Sequence, residues 1–271
     1  MSRLRGCVFS LMAIAVAGML LAGCASSQAA QDEVGLAGDW KLTSILSSGS
    51  EQAIPQDVTI TLSADLPDGG SHDYDVYGFS GVNNYSGPVV IDEPVYEGGP
   101  FAITQMAGPP ALEDFERLYL ETLTDADRFS IAPDRHGMAI AKTSGETALL
   151  FERLKFDGTH WLLTGYFNGT GVRSVDQSKA VPELAFGTKL DISGFSGTNY
   201  VVGAYDVNYE SREISFAQVG ITEGPASTRE AAIPEQEYLD LLGKATHYVW
   251  SGDTLQLIGK DGNTLLVFDT K

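Results

Sequence analysis

Apolar and polar residues alternate along most of the chain from Gly38 onward, and the pattern is written twice. DVTITLSA (57–64) and GTKLDISGF (187–195) place apolar residues at every second position, the period of a half-buried β-strand. Each is followed by a glycine-rich phrase, GFSGVNNYSG (78–87) and GFSGTNYVVG (194–203). FAITQMAG (101–108) and EISFAQVGIT (213–222) come next. The period then changes to that of a helix. In 111–123, Leu112, Phe115, Tyr119 and Leu123 share one face. In 234–245, Tyr238, Leu241 and Leu242 do the same. Pro110 and Pro234 suit helix starts. Each copy closes with a β-meander, ending at Phe151 and at Phe268. The offset between copies is 121 at Trp40 and Trp161, 116 at the glycine phrases and 117 at the final phenylalanines. The pattern predicts a mostly β (α+β) chain of two tandem domains, 37–154 and 155–271. Each is expected to be a curved antiparallel sheet or small barrel carrying one helix.

The glycine phrase admits two readings, a ligand-gripping loop or a backbone bend. Glycine and asparagine tolerate positive φ, which a strand needs where it bulges or turns sharply. The residues after the phrase differ between copies, which fits a shared bend better than a shared ligand. Gly81, Asn83, Tyr85 and Gly87, with Gly197, Asn199 and Gly203, are therefore read as a structural motif. Phe79 and Tyr85, or Phe195 and Tyr205, are expected to pack on either side of the bend.

The first residues follow another logic. Arg3 and Arg5 precede an apolar run from Cys7 to Gly23, which ends in Leu21-Ala22-Gly23-Cys24. Seventeen residues is at the short limit for crossing a bilayer. The small residues at the end instead suit a secretory cleavage site. LAGC matches the bacterial lipobox, so residues 1–23 are read as a lipoprotein signal peptide and Cys24 as the site of lipid attachment, palmitate included. Two or more acyl chains anchor stably where one does so only marginally. Ala25 after the cysteine is the pattern that implies outer-membrane sorting, facing the periplasm. Residues 24–36 read as a flexible tether.

Charge narrows the partners. Against 17 basic residues stand 36 acidic ones, a formal net charge of −19, which repels nucleic acid. The two cysteines, Cys7 and Cys24, are both taken up by the leader and its anchor, so no thiol is left for a disulfide, a nucleophile or a metal. His72, His136, His160 and His247 form no zinc pair at helix spacing, and no nucleophile elbow or phosphate loop is written. The acidic segment 65–75 lacks the spacing of a calcium loop and reads as a solvated hairpin loop. Glu113, Asp114 and Glu116 are assigned to the dipole of the first helical turn. No catalytic residue, metal site or cofactor is predicted.

Taken in order, the landmarks resemble the META domain, the module of HslJ-like heat-shock lipoproteins. An opening Trp-x-Leu, the phrases Gly81-Val82-Asn83-Asn84-Tyr85-Ser86-Gly87 and Gly197-Thr198-Asn199-Tyr200-Val201-Val202-Gly203, a threonine segment Ile103-Thr104-Gln105-Met106-Ala107, a helix and a closing Leu-x-Phe carry the likeness. In the second copy only Ser227-Thr228-Arg229-Glu230-Ala231 stands for the threonine segment. Val82 and Thr198 replace one family cysteine, and Gly108 and Ala232 stand near the other, so no role of those cysteines is carried over. The resemblance implies a non-catalytic envelope lipoprotein linked to stress tolerance. A module binding a protein partner or a small apolar ligand is the alternative, and an envelope hydrolase a third.

Overall fold

The computed structural model describes residues 35–56, 58–65, 67, 72–222 and 229–271. Cys24, the leader and most of the tether lie outside them, as do Ser227 and Thr228. The first copy runs β1 (Gly38–Ser47), β2 (Ser50–Ala53), β3 (Thr61–Ala64), β4 (Asp73–Phe79), β5 (Asn84–Asp92), β6 (Val95–Gly98), β7 (Ala102–Ile103), α1 (Pro110–Asp125), β8 (Arg128–Ile131), β9 (Gly137–Ala141) and β10 (Thr147–Arg153). The second runs β11 (His160–Phe167), β12 (Val172–Ser174), β13 (Glu183–Phe186), β14 (Asp191–Phe195), β15 (Tyr200–Asn208), β16 (Glu213–Thr222), α2 (Glu235–Gly243), β17 (Ala245–Ser251), β18 (Thr254–Gly259) and β19 (Thr264–Thr270). The protein is mostly β.

Each copy is an antiparallel sheet that returns on itself. β10-β9-β8-β6-β5-β4-β3-β1 closes through β1–β10, and β11-β13-β14-β15-β16-β17-β18-β19 closes through β11–β19. β2 and β12 form short hairpin arms on β1 and β11, and β7 pairs with β5. Closure removes the open edges that would otherwise template aggregation. Each ring has one thin seam, where a single pair joins the strands flanking the helix: Val95 with Arg128, and Glu213 with His247.

Each barrel encloses its own core. Trp40, Leu42, Leu62, Tyr119 and Phe151 fill the first; Trp161, Leu163, Tyr238, Leu257 and Phe268 fill the second. Fully burying a large apolar side chain contributes about 1.5–3 kcal/mol. The amphipathic faces predicted for the helices are the faces that seal these cores. Phe115, Tyr119 and Leu123 of α1 are buried while Leu112 is half-buried, and Tyr238, Leu241 and Leu242 of α2 are buried.

Four local expectations are corrected. The alternation at 187–195 is not one strand, because residues 187–190 turn between β13 and β14, with Leu190 exposed at φ +58°. The Asp191 backbone carbonyl accepts from Gly187 N at 2.7 Å, and its side chain accepts from Lys189 N at 3.2 Å, closing that turn. The strand expected at 57–64 is shorter, spanning Thr61–Ala64, and its true counterpart is β13. Part of the acidic segment 65–75 is strand, since β4 begins at Asp73 and Tyr74 and Val76 point into the core. Leu36, placed at the end of the tether, is fully buried and accepts the Trp40 indole N–H at 2.8 Å through its carbonyl.

Candidate functional site

The repeated phrase forms a tight β4–β5 turn, and its counterpart forms the β14–β15 turn. Gly81 and Gly197 take φ of +112° and +93°, a region costly for any side chain bearing a Cβ. Ser80 N donates to Asn83 O at 2.8 Å, and Ser196 N to Asn199 O at 2.9 Å. Neither Asn83 nor Asn199 has positive φ, which corrects the sequence reading of asparagine as a conformational residue. Their work is done by the side-chain amides.

A helix glutamate meets each turn. Glu116, only 8% exposed, accepts from Ser80 Oγ, from Asn83 N at 2.8 Å and from Asn83 Nδ2 at 2.9 Å. In the second copy Glu235 accepts from Ser196 Oγ at 2.5 Å and Asn199 Nδ2 at 3.1 Å. Glu116 therefore does not serve the helix dipole, as the sequence had suggested. It is a buried carboxyl group whose oxygens are filled by donors, which makes its burial tolerable. Asn83 Oδ1 in turn accepts from Thr104 Oγ1 at 2.9 Å and Met106 N at 2.7 Å, so the threonine segment is a strap tied to the same asparagine.

The remaining motif residues are structural in different ways. The Tyr85 hydroxyl donates to Thr61 O at 2.9 Å and meets Tyr119 Oη at 2.6 Å. Its burial first, and Tyr119 beside it, push its pKa well above the ordinary value. Val201 holds the equivalent place in the second copy, and Tyr238, the counterpart of Tyr119, has a buried hydroxyl with no partner among the described residues. Gly87 and Gly203 have ordinary φ. A Cβ on Gly87 would sit 2.6 Å from Pro100 O, so its smallness lets the strap lie on β5. Phe79 and Phe195 are half-buried, and Tyr205 is buried with its hydroxyl 3.1 Å from Asp157.

The two barrels are keyed by the turn between β15 and β16. Arg212, at φ +54°, donates Nε to Asp39 Oδ2 at 3.0 Å and Nη2 to Asp39 Oδ1 at 2.9 Å, and it also pairs with Asp65. Asp39 is buried and further accepts from Ser63 Oγ at 2.7 Å. Burial opposes the Arg212 charge, but the Asp39 hydrogen bonds outweigh it and its pKa is raised. The connecting segment is a plug rather than a free linker. Phe156 is fully buried, stacked on Phe186 at 4.5 Å and on Trp250 at 5.3 Å, and its N–H donates to Tyr209 Oη at 3.2 Å.

Beside this junction lies a groove of about 970 Å³. Its floor is the outer surface of β1, β3, β4 and β5, carrying Lys41, Tyr77 and Phe79, and Ile103 of β7 stands at its side. The β17–β18 hairpin, with Val249 and Trp250, forms the opposite wall. Tyr77, Ile103 and Val249 are exposed. Burial first, opposed by Arg212 and assisted by the Asp65 and Asp39 carboxylates, pushes the Tyr77 phenol up to about 12.

The profile of the META domain family matches residues 34–155 and again 152–271, together spanning every described residue. The chain belongs to the META domain family. No curated protein matches it. Among solved structures it is similar to a protein from Burkholderia xenovorans determined by NMR, at 25% identity and a TM-score of 0.38, covering 52% of this chain and 97% of that one. It is also similar to a DUF4847 family protein from Bacteroides vulgatus, at 15% identity and a TM-score of 0.32, covering 42% and 93%.

The two META barrels contain features that the sequence reading passed over. Both helices write Glu-x-x-Tyr-Leu-x-x-Leu, as Glu116–Leu123 and Glu235–Leu242, and this shared spacing was the available signal for the buried glutamate. Ser80 and Ser196, fully buried, were legible as the third residue of both phrases. Nothing local to Asp39 or Arg212 marks them as partners, since 173 positions separate them. The histidines are dispersed on the surface: His72 Nδ1 meets Ile91 O at 2.8 Å and His247 Nδ1 meets Thr246 Oγ1 at 3.0 Å.

Proposed function

We propose that this tandem META protein is a non-catalytic lipoprotein of the bacterial envelope, anchored through Cys24 to the outer membrane and facing the periplasm. The observation that carries this reading is the leader itself: Arg3 and Arg5, an apolar run, then Leu21-Ala22-Gly23-Cys24. A role without chemistry is supported by the repeated serine, asparagine and glutamate cluster, in which serine and carboxylate are locked to each other beneath the helix. A link to stress tolerance rests on the HslJ-like resemblance alone. In cells fed an alkyne palmitate analogue, the wild-type chain should take up label and sediment with outer membranes. Cys24→Ser should lose both properties. Continued labelling of Cys24→Ser would overturn the anchor.

A second reading, a binding module for a small apolar ligand, is favoured by the groove between the barrels. Its volume lies in the range that encloses drug-sized ligands, and its walls are aromatic and aliphatic with a few polar groups. Saturable quenching of Trp250 by an apolar probe, absent in Trp250→Phe, would support this reading. Quenching that persists in Trp250→Phe would count against it.

A further inference from the structure

The charged residues lining the groove are Lys41 and Asp253. The chain carries more than two acids for every base, and among the described residues Lys142, Lys179 and Lys271 are ion-paired while five lysines, Lys41 among them, are not. Lys41, half-buried on the floor of the groove, has no carboxylate within ion-pair distance among the described residues. The acid on the opposite wall, Asp253, is exposed in the hairpin turn, where water solvates it. An apolar trough with a half-buried lysine on its floor is complementary to a molecule with an oily body and one negative end.

The walls are preorganised for such a body. The Trp250 indole N–H donates to Gly252 O at 3.0 Å, and its ring is stacked on Phe156 and set edge-on to Trp161 at 5.1 Å. The facing floor is a rigid sheet, in which Phe79 N donates to Thr61 Oγ1 at 3.2 Å and Tyr77 donates to Asp65 at 3.3 Å. Side chains already held in place lose little entropy on binding.

We propose that this groove binds a small anionic amphiphile, its apolar body lying between Trp250 and the Tyr77–Phe79 floor and its carboxylate on Lys41. The proposal rests on the binding-module reading and adds the ligand's charge. Trp40 and Trp161 are fully buried, so emission of the full chain reports the groove chiefly through Trp250. Decanoate, decanol and decyltrimethylammonium are titrated into wild type, Lys41→Met and Trp250→Phe. Decanoate should bind roughly tenfold more tightly than decanol, as expected for a charge-assisted contact. Lys41→Met, with an unchanged circular dichroism spectrum, should erase that ratio while decanol binding stays constant. Equal binding of all three probes, or preference for the cation, overturns the anionic assignment alone. Absence of any Trp250-dependent signal overturns the groove as a binding site and the binding reading with it.

Discussion

Tyr119 and Tyr238 occupy equivalent places in the two barrels, yet their hydroxyls meet different fates. Tyr119 pairs with Tyr85, whereas Tyr238 faces a barrel in which valine stands at that position. A buried donor without an acceptor keeps its desolvation cost, and a made hydrogen bond contributes about 1 kcal/mol net. Tyr238→Phe should therefore be neutral or stabilising by about 1 kcal/mol, and Tyr119→Phe destabilising by about 1 kcal/mol, in urea unfolding. The opposite ranking would refute the assignment. Glu116→Gln makes a sharper test of the buried cluster. The carboxylate accepts at both oxygens, so an amide must turn its NH₂ toward a donor. About 2 kcal/mol of stability should be lost without change in the denaturant slope.

Within the β4–β5 turn, two glycines serve different needs, and alanine substitutions separate them. At Gly81 the nearest atoms to an added Cβ lie 3.7 Å away, so Gly81→Ala meets only the left-handed backbone and should cost about 1 kcal/mol. At Gly87 the backbone is ordinary but Pro100 O is 2.6 Å away. Gly87→Ala should displace the β7 strap, seen as faster amide exchange from residue 102 to 106, where the Gly81 variant leaves the strap protected. The helices show element-scale variation of the same design. α1 has 16 residues and α2 has 9, but both deliver glutamate, tyrosine and leucine at the same spacing to turn and core.

Ion pairs link the two barrels: Arg212 with Asp39, and Arg135 and Arg153 with Glu210. Removing one partner of a buried pair leaves an uncompensated charge, at a cost of about 3 kcal/mol. Arg212→Ala should loosen the junction, visible as a larger radius of gyration by X-ray scattering and as separation of one urea transition into two. A radius and a single transition matching wild type would show that the junction holds without this pair. Alkali gives an independent measure of the packing. Burial raises the phenol pKa of Tyr85, Tyr96, Tyr119, Tyr238 and Tyr248 above the ordinary 10.0. The native state then keeps protons that the unfolded chain releases above pH 10. This stability is intact below pH 10 and is lost progressively as the pH rises above it, through the raised values of the folded state. Absorbance at 295 nm should rise together with loss of tertiary structure, and phenols titrating near pH 10 in an intact fold would contradict it.

Periodicity and duplication were enough to read two tandem mostly β domains, two helices with their inward faces and the place of both glycine turns, because amphipathic spacing and positive-φ residues are local properties. The same local reasoning merged the turn at 187–190 into a strand, since Leu190 keeps the alternation while its backbone leaves the sheet. It also took Glu116 for a dipole partner of α1, because only the folded barrel brings Ser80 and Asn83 beneath it. The lipidation proposed at Cys24 rests on the leader sequence alone and lies outside the described residues. The junction of Asp39 with Arg212, and the groove beside it, belong to tertiary structure alone. A contact across 173 positions depends on how two closed barrels meet, and no pattern confined to one segment encodes that.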